Sequence, residues 1–404
     1  MSCWRTRVTL AGLLCAAVVA ATAWASPAVA NTRTPVELTP VTKAVASPPR
    51  WYDGNDGRVH LQYELMLTNT VPLPVNVTSV EVRGNGRVIE SLSGDRLVAA
   101  MSPLGSETGA STTLPASSVG VVWVDLGFPS RRALPARVSH RLTVDVGEGL
   151  PVGPIITSTG GRAAVTPHQP VVIGPPLAGG RWVAIGGPAG PHRRALQAVD
   201  GRLWLSQRFA LDFSALLDRD GRTHAGDPGQ NSSYFNYGQP VLAVGAGTIV
   251  EAVDRYPDQV PNHHVSLPTE QQDGNHVILK LADGVYAGYA HLEPGSVRVR
   301  AGDHVRAGQV LGRLGNTGAS TGPHLHFQVM DHPSIIAADG LPFEFSKFTF
   351  DGALPSLDGF LDADKTGTSV PIDPAGAGAR HRQGEAGLGV LTFPGNATAP
   401  GTQR

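Results

Sequence analysis

Residues 323–327 read PHLHF. On an extended strand successive side chains alternate, so His324 and His326 share one face roughly 6.6 Å apart while Leu325 and Phe327 turn to the other. Two imidazoles on one face suit one metal ligand and one neighbouring acid or base, because neutral imidazole binds zinc and its proton equilibrium lies near neutral pH. The two cysteines, Cys3 and Cys15, fall in an N-terminal segment of export type. Any metal in the mature chain must then be held by His, Asp or Glu. A second stretch, SQRFALDF at 206–213, places Arg208 and Asp212 on the same parity of an apolar alternation. It reads either as a salt-bridged strand or as part of a metal site.

The elements that position these residues are β-type. From 58 to 150 short runs such as VHLQYELMLTN, VTSVEVRG, GVVWVDLGF and RLTVDVG are separated by Gly, Pro and Ser clusters, the spacing of an antiparallel, immunoglobulin-like sandwich. A Gly- and Pro-rich linker is expected at 151–179, after another at 31–57. Residues 180–351 form a second β-dominated region, with PVLAVGAGTIVEAVD, HVILKLADG, VYAGYAHL and HLHFQVM among its strands. The polar segment 214–239 is long for a connection and reads as a rim or lid. Residues 352–404 are Gly, Ala and Pro rich with few large apolar residues and are expected to be a disordered tail.

Composition narrows the class further. Lys plus Arg is 32 against 33 acids, a net charge of -1 over 404 residues, so no basic field points to nucleic acid. Residues 1–30 run from Arg5 and Arg7 through LAGLLCAAVVAATAWA to Ala-Val-Ala at Ala30, the order of a cleavable secretory signal. A secreted or cell-envelope location is expected. No later run reaches the roughly 20 apolar residues a bilayer needs, so no membrane insertion is expected after cleavage.

The run YAHLEPGSVRVRAGDHVRAGQVLGRLGNTGASTGPHLHF, 289–327, resembles the M23 family of zinc metallopeptidases, the LytM and lysostaphin type. The resemblance rests on Tyr289 to Leu292, the hairpin from Gly302 to Gly312, Gly315-Asn316-Thr317-Gly318 and Gly322 to Phe327. It extends upstream through YGQPVLAVGAGTIV and Gly274-Asn275. Lipoyl and biotinyl carriers have a similar hairpin but need a modifiable Lys at its tip, which this turn lacks. After the sandwich, the resemblance implies a second, M23-like antiparallel β domain bearing an open groove, so an all-β chain is expected. It implies Zn2+ held by Asp212 and His326, His291 and His324 as catalytic neighbours that handle protons and stabilise the oxyanion, and peptidoglycan cross-bridge peptide as substrate.

One position departs from that pattern. The family's first metal ligand is a His four residues before the Asp, and here Arg208 stands there. A guanidinium has no free lone pair and stays protonated, so it cannot serve as a ligand. By parity Arg208 is expected to face the site and pair with Asp212. Two readings stay open. Either His192, in GGPAGPHRRA 20 residues before Asp212, supplies the missing bond, or the domain is a metal-free module that binds wall peptides or regulates a hydrolase. His224, His263, His264 and His304 read as solvated, His332 as a loop residue, and Asp227 with NSSYFNYG as a possible cleft rim. Asn76, Asn231 and Asn396 match the glycosylation tripeptide.

Overall fold

Strand Val59–Asn69 organises the N-terminal half. Its odd positions Leu61, Tyr63, Leu65 and Leu67 are fully buried, in one core with Val77, Val80, Val82, Leu142 and Val144 of a facing sheet. Burying such side chains, at about 25 cal/mol per Å² of apolar surface, is what holds two sheets face to face. In this computed structural model residues 39–106, 109–148, 153–187 and 190–395 are described. The signal-type segment 1–30 and Asn396 lie outside them.

The first sheet runs Val41–Val45, Val59–Asn69, Val119–Phe128, Met101–Pro103, with Arg50–Asp53 also on Val59–Asn69; every pairing is antiparallel. The second runs Ile155–Ala164, Arg137–Asp145, Val75–Gly84, Arg87–Ser93, with Thr113–Leu114 on Val75–Gly84, again antiparallel. On strand Val59–Asn69 the even positions His60, Gln62 and Glu64 are buried too. A half-buried sandwich strand would show them to water, so something covers this outer face. Leu205, far along the chain, packs there with Val121 and Trp123.

The C-terminal half is built on a sheet of ten strands among the described residues. Its order is His304–Val305, Gly247–Val253, His276–Ala282, Val285–Ala290, Leu325–Met330, Leu211–Leu217, Arg181–Ile185, Leu388–Thr392, Phe348–Ala353, Gly378–Arg380. All neighbours are antiparallel. Strand Leu325–Met330 lies in the middle and is buried at every residue. From Thr39 onward the chain is one compact unit.

Three segments differ from their sequence expectation. Within the expected linker 31–57, Val41–Val45 and Arg50–Asp53 are strands of the first sheet. Within 151–179, Ile155–Ala164 is an edge strand of the sandwich, and Val171–Ile173 pairs in parallel with Phe343–Phe345. The expected disordered tail instead adds strands to the large sheet and a helix, Leu357–Thr366, against it. Ser356 Oγ accepts from Gly359 N at 3.0 Å to cap that helix, and Gly367 ends it in a left-handed turn at φ 67°. Phe360 and Ala363 pack on Val183, Ile185, Ala215 and Val390. Short apolar runs such as LGVLT look too sparse for a core, but a strand inserted between two others needs only a few apolar residues because the sheet satisfies its backbone.

Candidate metal centre

Register brings the site together. Asp212 is directly opposite His326 on neighbouring strands, and Ala290, the residue before His291, is opposite His326 on the other side. Asp212 Oδ1 is 3.0 Å from His326 Nδ1, and its Oδ2 is 2.7 Å from His192 Nε2. The His192 and His326 rings meet edge to face, centroids 4.8 Å apart. One donor atom from each of His192, Asp212 and His326 falls within 4.8 Å of the others. Two imidazoles and a carboxylate converging so closely are donor types that suit a zinc ion. The chemistry of these residues therefore fits the ion that the resemblance implied, with His192 in the set.

The tautomer of His326 follows from a neighbour that the sequence did not single out. Gln328, two residues along the same strand face, donates through Nε2 to Ile335 O at 3.1 Å, which leaves its Oε1 to accept from His326 Nε2–H at 2.9 Å. The Nδ1 lone pair of His326 is then free on the Asp212 side. A carbonyl oxygen on the far ring nitrogen is the usual outer support of a metal-binding histidine.

His291 and His324 stand beside this set, their ring centroids 4.5 Å apart. His291 adopts φ 62° and donates from Nδ1 to Thr317 O at 2.7 Å. His324 donates from Nδ1 to Gly322 O at 2.9 Å, and its Nε2 is 3.9 Å from Asp212 Oδ1. In both rings the carbonyl contact fixes the tautomer and leaves Nε2 as the reactive nitrogen. Gly315 ties the two together: its N–H donates to His291 O at 3.1 Å and its carbonyl accepts from His324 N at 3.2 Å. A Cβ at Gly315 would meet Glu293 N at 2.3 Å, so only glycine permits this approach.

Charge in the site is uneven. Burial works against ionisation of Asp212, but the facing rings of His192, His324 and His326 outweigh it, holding the carboxyl well below the usual carboxylate range. Burial, reinforced by His324 and His326, pushes His291 well below the ordinary imidazole range. His324 is lowered as well, by burial partly opposed by Asp212. The arrangement is one carboxylate held anionic beside two imidazoles, His291 and His324, that burial holds toward the neutral form.

Arg208 does not face Asp212. Residues 206–209 form a turn, with Arg208 N donating to Leu205 O at 3.3 Å and Ala210 N to Gln207 O at 2.9 Å, and the strand begins only at Leu211. The parity that pointed Arg208 toward the site assumed a strand through it. Its guanidinium is buried against Glu64 of the sandwich, Nη1 to Oε2 at 2.9 Å.

The remaining sequence candidates separate. His224 is buried and bonded through Nε2 to Asp364 O at 2.8 Å, not solvated as expected. His263, His264 and His304 are exposed, and His332 pairs with Asp331 and meets the Trp204 ring edge to face. Tyr234 and Asn262 line a cleft of about 340 Å³ that also touches Asp212, His324, Phe360 and Leu361. Exposed Asp227 instead caps its own turn, accepting from Gly229 N at 2.9 Å. A larger hollow of about 650 Å³ lies elsewhere, beside Asn55, Arg380 and Glu385, and has no histidine in its wall.

An antiparallel β domain with this His-Asp-His set defines a class, and sequence comparison gives it a family. Residues 233–337 match Peptidase family M23 and form a domain of that family. The glycyl-glycine endopeptidase ALE-1 of Staphylococcus capitis is 40% identical over 113 residues, 27% of this chain and 27% of that protein. Lysostaphin of Staphylococcus simulans is 39% identical over 113 residues, 27% of this chain and 20% of that protein. The DD-carboxypeptidase/endopeptidase Mpg of Neisseria gonorrhoeae is 36% identical over 99 residues, 21% of this chain and 22% of that protein. The chain thus spans about a quarter of the length of the curated relatives it matches. The solved catalytic domain of lysostaphin from Staphylococcus simulans aligns at 27% identity over 39% of this chain and 88% of that one, with a TM-score of 0.23.

Proposed function

We propose that this chain is an exported zinc-dependent endopeptidase acting on peptidoglycan cross-bridge peptides. The observation that carries the reading is the convergence of His192, Asp212 and His326 within 4.8 Å, with Arg208 turned away from them. The named activities of the relatives, glycyl-glycine endopeptidase and DD-carboxypeptidase/endopeptidase, support the substrate class. The charge and apolar order of residues 1–30 supports export. Among the described residues no helix is long and apolar enough to cross a membrane.

Roles follow from the donor atoms. His192, Asp212 and His326 would hold the ion, which when bound would supply Lewis acidity toward a scissile carbonyl and a water. His324 and His291 present a lone pair at Nε2, which accepts a proton from the attacking water and, once protonated, donates to the developing negative charge. The cleft walled by Tyr234 and Phe360 receives an extended peptide.

Metal analysis of the purified chain tests this directly. Stoichiometric zinc that disappears in His326→Ala, together with cleavage of a cross-linked wall peptide by the zinc-loaded protein, is the expected result. Protein that stays metal-free at micromolar zinc sinks the enzyme reading and favours a wall-binding or regulatory module.

A further inference from the structure

Glu64 lies mid-strand in the sandwich, fully buried, on the face that the C-terminal half covers. It takes two arginines at once. Arg193 Nη1 reaches its Oε1, and Arg208 Nη1 reaches its Oε2 at 2.9 Å. Both arginines are themselves buried, and each sits on a segment that leads to a donor atom: Arg193 follows His192, and Arg208 precedes Asp212 by four residues.

The two donors differ in how the fold holds them. Asp212 is locked into the central sheet between Ile185 and His326. His192 sits on a single 3-10 turn, Pro191–Arg194, outside any sheet. The side chains around it anchor that turn to the sandwich. Arg193 Nη2 donates to Tyr63 O at 3.3 Å and Val124 O at 3.2 Å, and its guanidinium lies 5.4 Å over the Trp123 ring. Arg194 donates to Ala99 O. Leu196 packs with Val121, Trp123 and Leu205.

We propose that the N-terminal sandwich completes the metal site, with Glu64 as the positioning residue that fixes His192 through Arg193. The inference rests on the zinc reading above and assigns a role to the sandwich. A buried carboxylate shared by two guanidiniums is specific in geometry, because each fork meets one oxygen and neither can move without leaving charge unpaired. Released from it, the His192 turn keeps its short local bonds but loses what sets its distance from Asp212.

The test is a double-mutant cycle on zinc affinity in the full chain, measured by competition with a chromogenic chelator, with folding checked by circular dichroism. Glu64→Gln is expected to weaken zinc binding by about tenfold or more, the scale of an outer-support loss. In the His192→Ala background it is expected to change affinity no further, since Glu64 acts through His192. A merely structural Glu64 would lower the melting temperature equally in both backgrounds and leave zinc affinity alone, which would overturn the proposal. Arg193→Lys keeps the charge but loses the fork, and serves if Glu64→Gln does not fold; it too is expected to weaken zinc binding. Wild-type protein without zinc overturns the underlying reading and this inference with it. Wild-type zinc affinity retained in both Glu64→Gln and Arg193→Lys overturns this inference alone.

Discussion

Arg208 and Glu64 form a buried ion pair across the two halves of the chain, Nη1 to Oε2 at 2.9 Å, with neither side chain accessible to solvent. Burial lowers the Arg208 pKa, partly opposed by Glu64. Arg208→His would place a histidine where the family pattern has one, yet residue 208 sits in a turn and points to the sandwich. The variant is expected to gain no zinc affinity and to lose roughly 3–5 kcal/mol of stability, because it breaks a buried ion pair by removing one of the two arginines on Glu64. Urea melts with and without zinc check both parts. Tighter zinc binding in the variant would mean that the turn can reach Asp212.

Gln328 offers a sharper test of the site chemistry. Its Oε1 accepts from His326 Nε2 at 2.9 Å and so keeps the Nδ1 lone pair toward Asp212. Gln328→Leu removes the acceptor within a strand buried at every residue. Zinc affinity is expected to drop by about 10- to 100-fold, while Gln328→Glu, which keeps an acceptor, retains most of it. Equal affinities in the two variants would refute the tautomer assignment.

Much of this site was legible in the sequence because strand parity is a local property. His324 and His326 in PHLHF, and Asp212 in the neighbouring strand, needed only the two-residue period and the resemblance. His192 was legible as a histidine in the loop entering the same domain. Arg208 was misread because the period was carried back through residues 206–209, which turn. Glu64 could not be found at all. In VHLQYEL the polar parity of His60, Gln62 and Glu64 reads as a solvent face, and only the docked second half makes it an interior. The tail was misread for a related reason: Leu388–Thr392 gains its stability from partners about 40 and 200 residues away, Phe348–Ala353 and Arg181–Ile185.

His140 gives the sandwich a pH dependence of its own. Its Nδ1–H donates to Gly161 O at 3.0 Å and its Nε2 accepts from Tyr63 OH at 2.7 Å, so only the neutral ring satisfies both contacts. Burial, partly opposed by the Gly161 and Gly160 backbone contacts, lowers its pKa from 6.5 to about 4. Below 6.5 the unfolded chain binds a proton that the folded chain does not, so stability is full above 6.5 and declines as pH falls toward 4. The loss reaches on the order of 3 kcal/mol at the low end. His140→Gln is expected to flatten this part of the profile between pH 6.5 and 5 in thermal melts; identical profiles for the two proteins would show that His140 protonates freely when folded.

The C-terminal helix makes the last prediction, because it serves both the core and the cleft. Phe360 and Ala363 face inward, whereas Leu361 is 51% exposed and lines the cleft beside Asp212 and His324. Leu361→Ala touches no core contact, so its stability is expected to stay within about 0.5 kcal/mol of wild type. An apolar cleft wall that holds substrate away from the reacting bond acts on ground and transition states alike, so KM for a wall peptide is expected to rise several-fold with kcat little changed. Deleting 352–395 is a different experiment: it removes the inserted strand Leu388–Thr392 and the buried Val390, Leu391 and Phe393, and is expected to leave the chain insoluble or unfolded. A truncated chain that folds and cleaves peptide as well as the full one would return this segment to the dispensable tail its composition suggests.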